Sequence, residues 1–152
     1  MVKDIPINEI VLRKYERPYG IDRRQLVKKV CLSLGLLQPG DSRDIIVDIL
    51  QVLIEERNKK AKLNSEAIRE RVENLRKANN LEMRGLAESN IRRQLKRLRD
   101  LMIVEKSNNQ YHLSEFESLE RIFEDKIEKF IVQPNIQRIK EYLRELEKEK
   151  TL

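Results

Sequence analysis

The chain has 152 residues, a formal net charge of +6 and a pI near 9.5, which together allow one hydrophobic core with an appendage and favour a polyanionic partner. The single cysteine excludes an internal disulfide and a cysteine-rich zinc site. Because no apolar run reaches membrane-spanning length and no signal-peptide core follows Met1, we expect a cytoplasmic protein without membrane association.

Residues 1–21 permit two secondary structures. Asn8 can cap a short helix that runs to Tyr15. The β-branched residues of this stretch favour a strand instead; they are Ile5, Ile7 and Val11. Residues 18–20, with the sequence Pro-Tyr-Gly, predict a turn. The region is basic, which permits either an arm that contacts DNA or a segment that packs on the domain. Its basic residues are Arg13, Lys14, Arg17, Arg23 and Arg24.

Asp22 predicts the start of the first clear helix, because its carboxylate can accept a hydrogen bond from the first turn. Gly35 predicts the end of that helix. Its core-facing side carries Leu26, Val27, Val30, Cys31 and Leu34. Since no residue near Cys31 in sequence would lower the pKa of its thiol, we expect a buried and unreactive side chain. Pro39-Gly40 then breaks the chain, so residues 1–40 are predicted to form an N-terminal helical extension.

Asp41 is predicted to open the next helix, with Asp44 in its first turn, where negative charge is favoured. Apolar residues between Ile45 and Ile54 cover more than half of the helix circumference, so this helix is expected to be buried on two sides. Residues 61–63 are long enough for a short strand. The next helix is predicted to start at a capping asparagine and to carry three inward apolar residues. These residues are Asn64, followed by Ile68, Val72 and Leu75.

Residues 77–88 form a long connection between two predicted helices. Three apolar residues indicate that it packs against the core as an extra helical turn; they are Leu81, Met83 and Leu86.

A strongly basic helix is predicted over residues 89–101. At 100° per residue, its apolar stripe consists of Ile91, Leu95, Leu98 and Met102. The opposite side carries Arg92, Arg93, Lys96, Arg97 and Arg99. Ser89 is expected to cap this helix, and no acid stands between Ser89 and Arg99 to neutralise the basic side. A helix with one sign of charge fits the major groove of DNA, although an ordinary solvated surface remains the alternative.

Residues 103–113 predict a β-hairpin. The pair Asn108-Asn109 tolerates the positive φ that a two-residue turn requires. His112, the only histidine, falls in the second strand. We expect its side chain to face solvent rather than act as a base, a metal ligand or a pH sensor.

A capping box is predicted at Ser114 and Glu117, followed by C-terminal helices within residues 115–152. Their apolar stripe carries Phe116, Leu119, Phe123, Ile127 and Phe130. Pro134 is expected to interrupt the stripe, which then continues through Ile136, Ile139, Leu143 and Leu146. Two interpretations remain open: a homodimer seam, or a helix folded back on its own domain. The seam would consist of Leu119, Phe123, Ile139 and Leu143.

Three stretches, Leu63–Ile68, Ser89–Leu98 and Leu101–Lys106, resemble the winged helix-turn-helix DNA-binding domain of prokaryotic, in particular archaeal, transcription regulators. The resemblance covers residues 41–114, about half of the chain, and identifies no subfamily. It implies a mainly α fold with a winged helix-turn-helix domain, a short β-hairpin wing, an N-terminal helical extension and C-terminal helices.

The resemblance also implies which residues contact DNA. The N-terminal part of the basic helix would face base edges, and its later residues and the wing would face phosphates. The implied DNA-binding residues are Ser89, Asn90, Arg92, Arg93, Lys96, Arg97, Arg99 and Lys106. Two features depart from the family pattern: the 77–88 connection is longer than a minimal turn, and Met102 stands where glycine is common.

The sequence therefore predicts a transcriptional regulator that binds double-stranded DNA as a homodimer. A winged helix that places its basic helix and wing on an acidic protein surface is the alternative. An enzyme is not expected: the chain has one histidine, and its four glycines form no phosphate-binding loop. A nucleic-acid enzyme would need acidic clusters that the sequence lacks. No metal or cofactor is predicted, and no stretch identifies a small-molecule effector.

Overall fold

The computed structural model describes residues 4–6 and 8–149, which are mainly helical and include a small antiparallel sheet. The mainly α class predicted from the sequence is confirmed. The chain divides into two compact units, Met1–Phe116 and Glu117–Leu152. Ile7, which contributed to the predicted N-terminal strand, lies outside the described residues.

The described part of the first unit has the element order α1-α2-β1-α3-α4-β2-β3. The helices are α1 (Arg23–Ser33), α2 (Ile45–Arg57), α3 (Ser65–Ala78) and α4 (Glu88–Asp100). The strands are β1 (Leu63–Asn64), β2 (Val104–Ser107) and β3 (Gln110–Leu113). Strand β3 pairs antiparallel with both β1 and β2, so it is the middle strand of the sheet.

Helix α2 is the centre of the hydrophobic core of this unit. Ten of its 13 residues are buried, and α1, α3, α4 and β3 all pack against it. Its largest fully buried side chains are Ile46, Ile49, Leu50 and Leu53. The prediction that this helix is buried on two sides is therefore confirmed. Removing these side chains from water drives the packing of its neighbours, at about 25 cal/mol per Å² of apolar surface.

Four charged residues form a buried ion cluster where α1, α2 and α3 meet. Nη1 of Arg76 lies 2.6 Å from Oδ2 of Asp48 and 3.0 Å from Oδ1 of Asp44. Nη2 of Arg24 lies 3.0 Å from Oδ2 of Asp44. Burial alone would raise the pKa of Asp44, but the hydrogen bonds and charges of Arg24 and Arg76 hold that pKa below its usual value. Arg24 is therefore engaged in this ion cluster and is not part of a basic arm.

The segment before α1 differs from both structures that the sequence permits. Its described residues contain neither a helix capped by Asn8 nor a strand. The segment is held close to the end of α1, because a Cβ added at Gly35 would lie 2.1 Å from the carbonyl oxygen of Glu9. This contact favours a segment packed on the domain, although Arg13 and Arg17 are exposed.

Two of the predicted helix starts are confirmed. The carboxylate of Asp22 accepts a hydrogen bond of 2.8 Å from the amide of Gln25 at the start of α1. The side-chain oxygen of Asn64 accepts one of 2.8 Å from the amide of Ala67 at the start of α3. In both cases the capping side chain satisfies an amide that has no partner within its own helix.

Two other helix starts were predicted at the wrong residue. Helix α2 begins at Ile45 and not at Asp41, because the Asp41 carboxylate accepts a hydrogen bond of 2.9 Å from the Arg43 amide in the preceding turn. Helix α4 begins at Glu88 with Ala87 at its cap position, so Ser89 lies inside the first turn and does not cap. The Glu88 carboxylate is favoured there by the partial positive charge of the helix N-terminus.

The prediction that Ser114 caps a helix is also wrong. It is 2% exposed, and its hydroxyl donates a hydrogen bond of 2.6 Å to the carbonyl of Met102. Positive φ angles at Glu115 and Phe116 turn the backbone away from helical geometry directly afterwards. The next helix is capped by Ser118 instead.

The predicted hairpin is confirmed. Strands β2 and β3 pair with Val104 opposite Leu113 and Ser107 opposite Gln110. The two turn residues between them, Asn108-Asn109, have φ values of 51° and 60°, as a two-residue turn of this hand requires.

The second unit contains a continuous run of helix from Leu119 to Glu149. This run consists of α5 (Leu119–Ile122), a π-helical stretch (Phe123–Val132) and α6 (Gln133–Glu149), with helical φ and ψ at both junctions. The helix continues through Pro134, the residue at which the apolar stripe was expected to be interrupted. Proline has no amide to bond the carbonyl four residues back, and a wider turn precedes it. There the amide of Gln133 bonds to the carbonyl of Glu128, five residues back.

Apolar side chains of this unit fall into buried, half-buried and exposed groups, with Ile122 and Ile127 buried. Leu119 and Phe123, the first half of the predicted seam, are half-buried. Ile139 and Leu143, the second half, are each 56% exposed. These two belong to a row that we call the α6 stripe, which consists of Ile136, Ile139, Leu143 and Leu146. Phe130 is 71% exposed. The sequence placed it in the predicted apolar stripe on the assumption of 3.6 residues per turn, but the π-helical stretch has a wider turn.

Candidate nucleic-acid interface

Helix α4 is fixed to the core by one face. Ile91, Leu95 and Leu98 are each 0% exposed, and the helix packs against α2, α3 and β2. Because side chains three or four residues apart share a face, burial of this stripe turns the remaining residues towards solvent. The predicted apolar stripe of the basic helix is therefore confirmed for these three residues.

The C-terminus of α4 is closed by a turn that leads directly into the hairpin. The amide of Ile103 bonds to the Leu98 carbonyl (3.0 Å), and the amide of Met102 bonds to the Arg99 carbonyl (2.9 Å). This pair of bonds is a Schellman motif, which requires a left-handed residue after the helix. Met102 takes that conformation with φ of 65°, at the position where the resembled family commonly has glycine.

The long connection before α4 is fixed by side chains that bond to its carbonyl groups. Nε of Arg76 donates to the Glu82 carbonyl at 2.5 Å, and Nε of Arg69 donates to the Leu86 carbonyl at 2.7 Å. Gly85 has φ of 85°, and a Cβ added there would lie 2.9 Å from Ile45. The described connection contains no extra helical turn, contrary to expectation. These contacts determine where α4 begins and how it is angled.

The centre of the exposed face of α4 is basic. Ser89, Arg93, Lys96 and Asp100 lie farthest around the helix from the buried stripe, and all are exposed. Lys96 pairs with Asp100 at 3.0 Å, and Arg92 pairs with Glu88 at 3.6 Å. Both pairs are exposed, so they contribute little stability and leave their cations free to exchange partners. Within the described residues, Arg93 and Arg99 have no ion-pair partner.

Asn90 is placed differently from the other predicted DNA-binding residues. Its Nδ2 donates a hydrogen bond of 2.8 Å to the Gly85 carbonyl, and its Oδ1 accepts one of 3.1 Å from Gln94. The side chain is half-buried. Both of its polar atoms therefore hold the start of α4 against the preceding turn.

The hairpin side of α4 carries a groove of about 320 Å³. Arg92 and Lys106, two of the predicted DNA-binding residues, both line it, together with Asn109 at the hairpin turn. Nζ of Lys106 lies 5.6 Å from the ring centre of Tyr111, which is within cation–π distance. The fold thus brings the hairpin cation next to the N-terminal half of the basic helix.

The opposite side of α4 carries a larger concavity of about 460 Å³, which we call the arginine groove. Arg93 and Arg97 line it from α4, while Arg43 and Arg84 line it from the segments before α2 and α4. Nη1 of Arg97 donates to Oε1 of Gln94 at 2.8 Å. The concavity is therefore basic on two facing sides.

His112 is buried and does not face solvent, so that prediction is wrong. It is 7% exposed, and its ring stacks on Phe116 with a centroid distance of 4.3 Å. Nδ1 lies 2.8 Å from the carbonyl oxygen of Leu113, and Nε2 lies 3.5 Å from Oε2 of Glu105. The turn after β3 brings Phe116 back over the strand and covers the imidazole.

Cys31 is fully buried, as predicted, and burial raises the pKa of its thiol to about 12. The thiol is therefore protonated at neutral pH and is a poor nucleophile. Among the residues that the structure describes, no three His, Cys, Asp or Glu side chains are grouped to hold a metal ion.

Sequence reasoning missed the residues that hold or flank α4 from a distance. Arg43 and Arg84 reach the arginine groove from loops, and Arg69 and Arg76 are bonded to the connection. Helical periodicity cannot find such contacts, because they depend on the path of residues 79–87. The only local signal is that Arg84 precedes a glycine.

Comparison with protein-family models, curated proteins and solved structures found no match for this chain. No helix among the described residues combines the length and apolar character needed to span a membrane.

Proposed function

We propose that the chain is a DNA-binding protein of the winged helix-turn-helix type, with residues 41–114 as the binding domain and β2–β3 as the wing. The observation that carries the proposal is the exposed basic face of α4, fixed to the core by its opposite face and flanked by the hairpin. A helix supported in this way can enter the major groove without losing contacts to its own domain. The expected role is transcriptional regulation in the cytoplasm, by binding and not by catalysis.

The proposed division of labour follows from position along α4. Arg92 and Arg93 lie in the first half of the helix, which enters the groove in helix-turn-helix docking, and a guanidinium can bond O6 and N7 of guanine together. Ser89 and Lys96 flank them on the same face. Arg97 and Arg99, further along, and Lys106, on the hairpin, are assigned to phosphates. Since Asn90 is bonded within the fold, we assign it to positioning the helix and not to reading adenine.

The proposed assembly is a homodimer formed through the second unit. Its support is the α6 stripe, a row of apolar side chains that are 38% to 56% exposed in the single chain. An exposed apolar row on a helix with 3-4 spacing is typical of a surface that pairs with another helix. A two-fold dimer would read two half-sites separated by one or more turns of DNA.

A salt-titrated gel shift of the full chain against genomic fragments tests the proposal. We expect selective retention of some fragments, and log K that falls linearly with log salt concentration. For three phosphate contacts per protomer, and so six in the dimer, the slope would be roughly −5. An acidic polypeptide such as polyglutamate, added at equal charge, should compete weakly. Equal competition by polyglutamate, or binding without fragment preference, would support the protein-interaction alternative instead.

A further inference from the structure

The arginine groove holds more positive charge than its own residues neutralise. Four guanidinium groups line it, from Arg43, Arg84, Arg93 and Arg97, and Asp41 is the single acid in its lining. Four cations and one anion leave a formal charge of +3 in a concavity of about 460 Å³. Like charges that share a concavity raise one another's energy, and a bound anion relieves this repulsion.

The charges of the groove are not absorbed by ion pairs within the protein. Among the described residues, the guanidinium groups of Arg43, Arg84 and Arg93 have no ion-pair or hydrogen-bond partner. The buried ion cluster is a contrast within the same unit, because there Arg24 and Arg76 are matched by Asp44 and Asp48. Three arginines without such a partner therefore line one concavity, whereas the arginines of the buried ion cluster are neutralised within the fold.

The backbone of the groove is fixed on both sides. On one side, the Asp41 carboxylate accepts from the Arg43 amide at 2.9 Å. On the other, Gly85 lies against Ile45, and its carbonyl accepts from Asn90 at 2.8 Å, which places Arg84 directly before α4. A fixed backbone lets several arginines converge on one anion with less loss of freedom on binding.

We propose that the arginine groove is a binding site for a ligand that carries at least two phosphate groups. The planar guanidinium group bonds phosphate oxygens in pairs, and the formal charge of +3 matches a ligand of similar negative charge. Leu36, Leu37 and Ile45 also line the groove, so the site has an apolar part beside its charged walls. Its volume falls within the range of small-ligand sites.

Two sources can supply this phosphate chemistry: a free phosphorylated small molecule, or the backbone of bound DNA. Only the second source rests on the proposed DNA-binding function. Arg93 and Arg97 belong both to the groove and to the basic face of α4. A free ligand in the groove would therefore compete with DNA for these two residues, and would act as an effector of binding.

The test uses the full chain and a charge-matched pair of variants. Arg43→Gln with Arg84→Gln removes the two groove arginines that lie outside α4. Arg138→Gln with Arg144→Gln removes the same charge from exposed positions of α6, outside the groove. Binding of pyrophosphate is measured by calorimetry at fixed ionic strength, and binding of a DNA duplex by fluorescence anisotropy. Circular dichroism shows that both variants are folded.

For a free ligand, the groove variant should lose about tenfold or more in pyrophosphate affinity, while the control variant stays within about twofold of the parent chain. For the DNA backbone, pyrophosphate does not bind, and duplex affinity falls about tenfold more in the groove variant than in the control. The proposal is overturned if both variants match in pyrophosphate affinity and in duplex affinity. A parent chain that binds pyrophosphate but no duplex would refute the DNA-binding function alone.

Discussion

The backbone conformation of Met102 lowers the stability of the fold. This residue has φ of 65° in the Schellman turn between α4 and the hairpin, a conformation that is unfavourable for residues with a Cβ. Glycine adopts it without this penalty. We predict that Met102→Gly raises the free energy of unfolding by about 1 kcal/mol.

Chemical denaturation of the parent and the variant measures this difference. Replacement by alanine is the control, since alanine removes the same side chain but keeps the Cβ. A Met102→Gly variant no more stable than Met102→Ala would contradict the argument from φ.

Arg76 is the residue on which the buried ion cluster depends most. It is 2% exposed and bonds both Asp44 and Asp48, so its removal leaves two neighbouring carboxylates with only the partly exposed Arg24 to neutralise them. We predict that Arg76→Met lowers the free energy of unfolding by about 3–5 kcal/mol. Arg138→Met, which removes an exposed arginine paired with Glu141, should cost less than about 1 kcal/mol. If urea denaturation shows that both variants lose a similar free energy of unfolding, the buried ion cluster does not stabilise the fold more than an exposed ion pair does.

At the scale of single residues, sequence succeeded where the contact is local. Asp22 and Asn64 bond amides three residues away, and Asn108 and Asn109 need only their own φ values, so short motifs predict them. His112 was wrong because the residue that covers it arrives through a turn with two positive φ angles. Polar residues bonded across the fold, as in the buried cluster, leave no mark in hydrophobic periodicity.

At the scale of elements, the periodicity of α4 was sufficient to predict its buried face but not its start. Ile91, Leu95 and Leu98 face the core because their spacing matches the helical repeat. The start at Glu88 depends on the preceding connection, whose carbonyls are bonded by Arg69 and Arg76. The same limit applies to the second unit, where a π-helical stretch changes the repeat on which the predicted stripe depended.

Substitution of the hairpin lysine is expected to weaken binding to all DNA sequences by the same factor. Lys106 is exposed beside the Asn108-Asn109 turn, on the groove that also contains Arg92. A phosphate contact carries no sequence information, so Lys106→Ala should weaken specific and random duplexes equally. The slope of log K against log salt should flatten by about one unit per protomer.

Anisotropy titrations over a range of salt concentrations measure this slope. Lys140→Ala, an exposed lysine of α6, should leave the slope unchanged. A loss of affinity that depends on one base position would show that Lys106 reads sequence.

At the scale of the whole molecule, the proposed homodimer depends on the α6 stripe. Ile139 and Leu143 are each 56% exposed, and a partner helix would cover them. We predict that Ile139→Glu with Leu143→Glu converts a dimer into a folded monomer, because an interface disfavours buried charge. Sedimentation equilibrium measures the mass of the full chain at tens of micromolar. As a control, Gln133→Glu with Gln137→Glu adds the same charge to the same helix, and this variant should remain dimeric. A parent chain that is already monomeric would refute the proposed dimer.

The most direct test of the proposed function compares four single variants of α4 on two DNA duplexes. The duplexes are a preferred site, selected from genomic fragments, and a random sequence of equal length; circular dichroism serves as the folding control. We predict that Arg92→Ala and Arg93→Ala each cost roughly 1–3 kcal/mol on the preferred site and less on the random one. Arg97→Ala and Arg99→Ala should cost similar amounts on both. If all four variants are folded and bind both duplexes like the parent chain, the basic face of α4 is a solvated surface and the proposal is wrong.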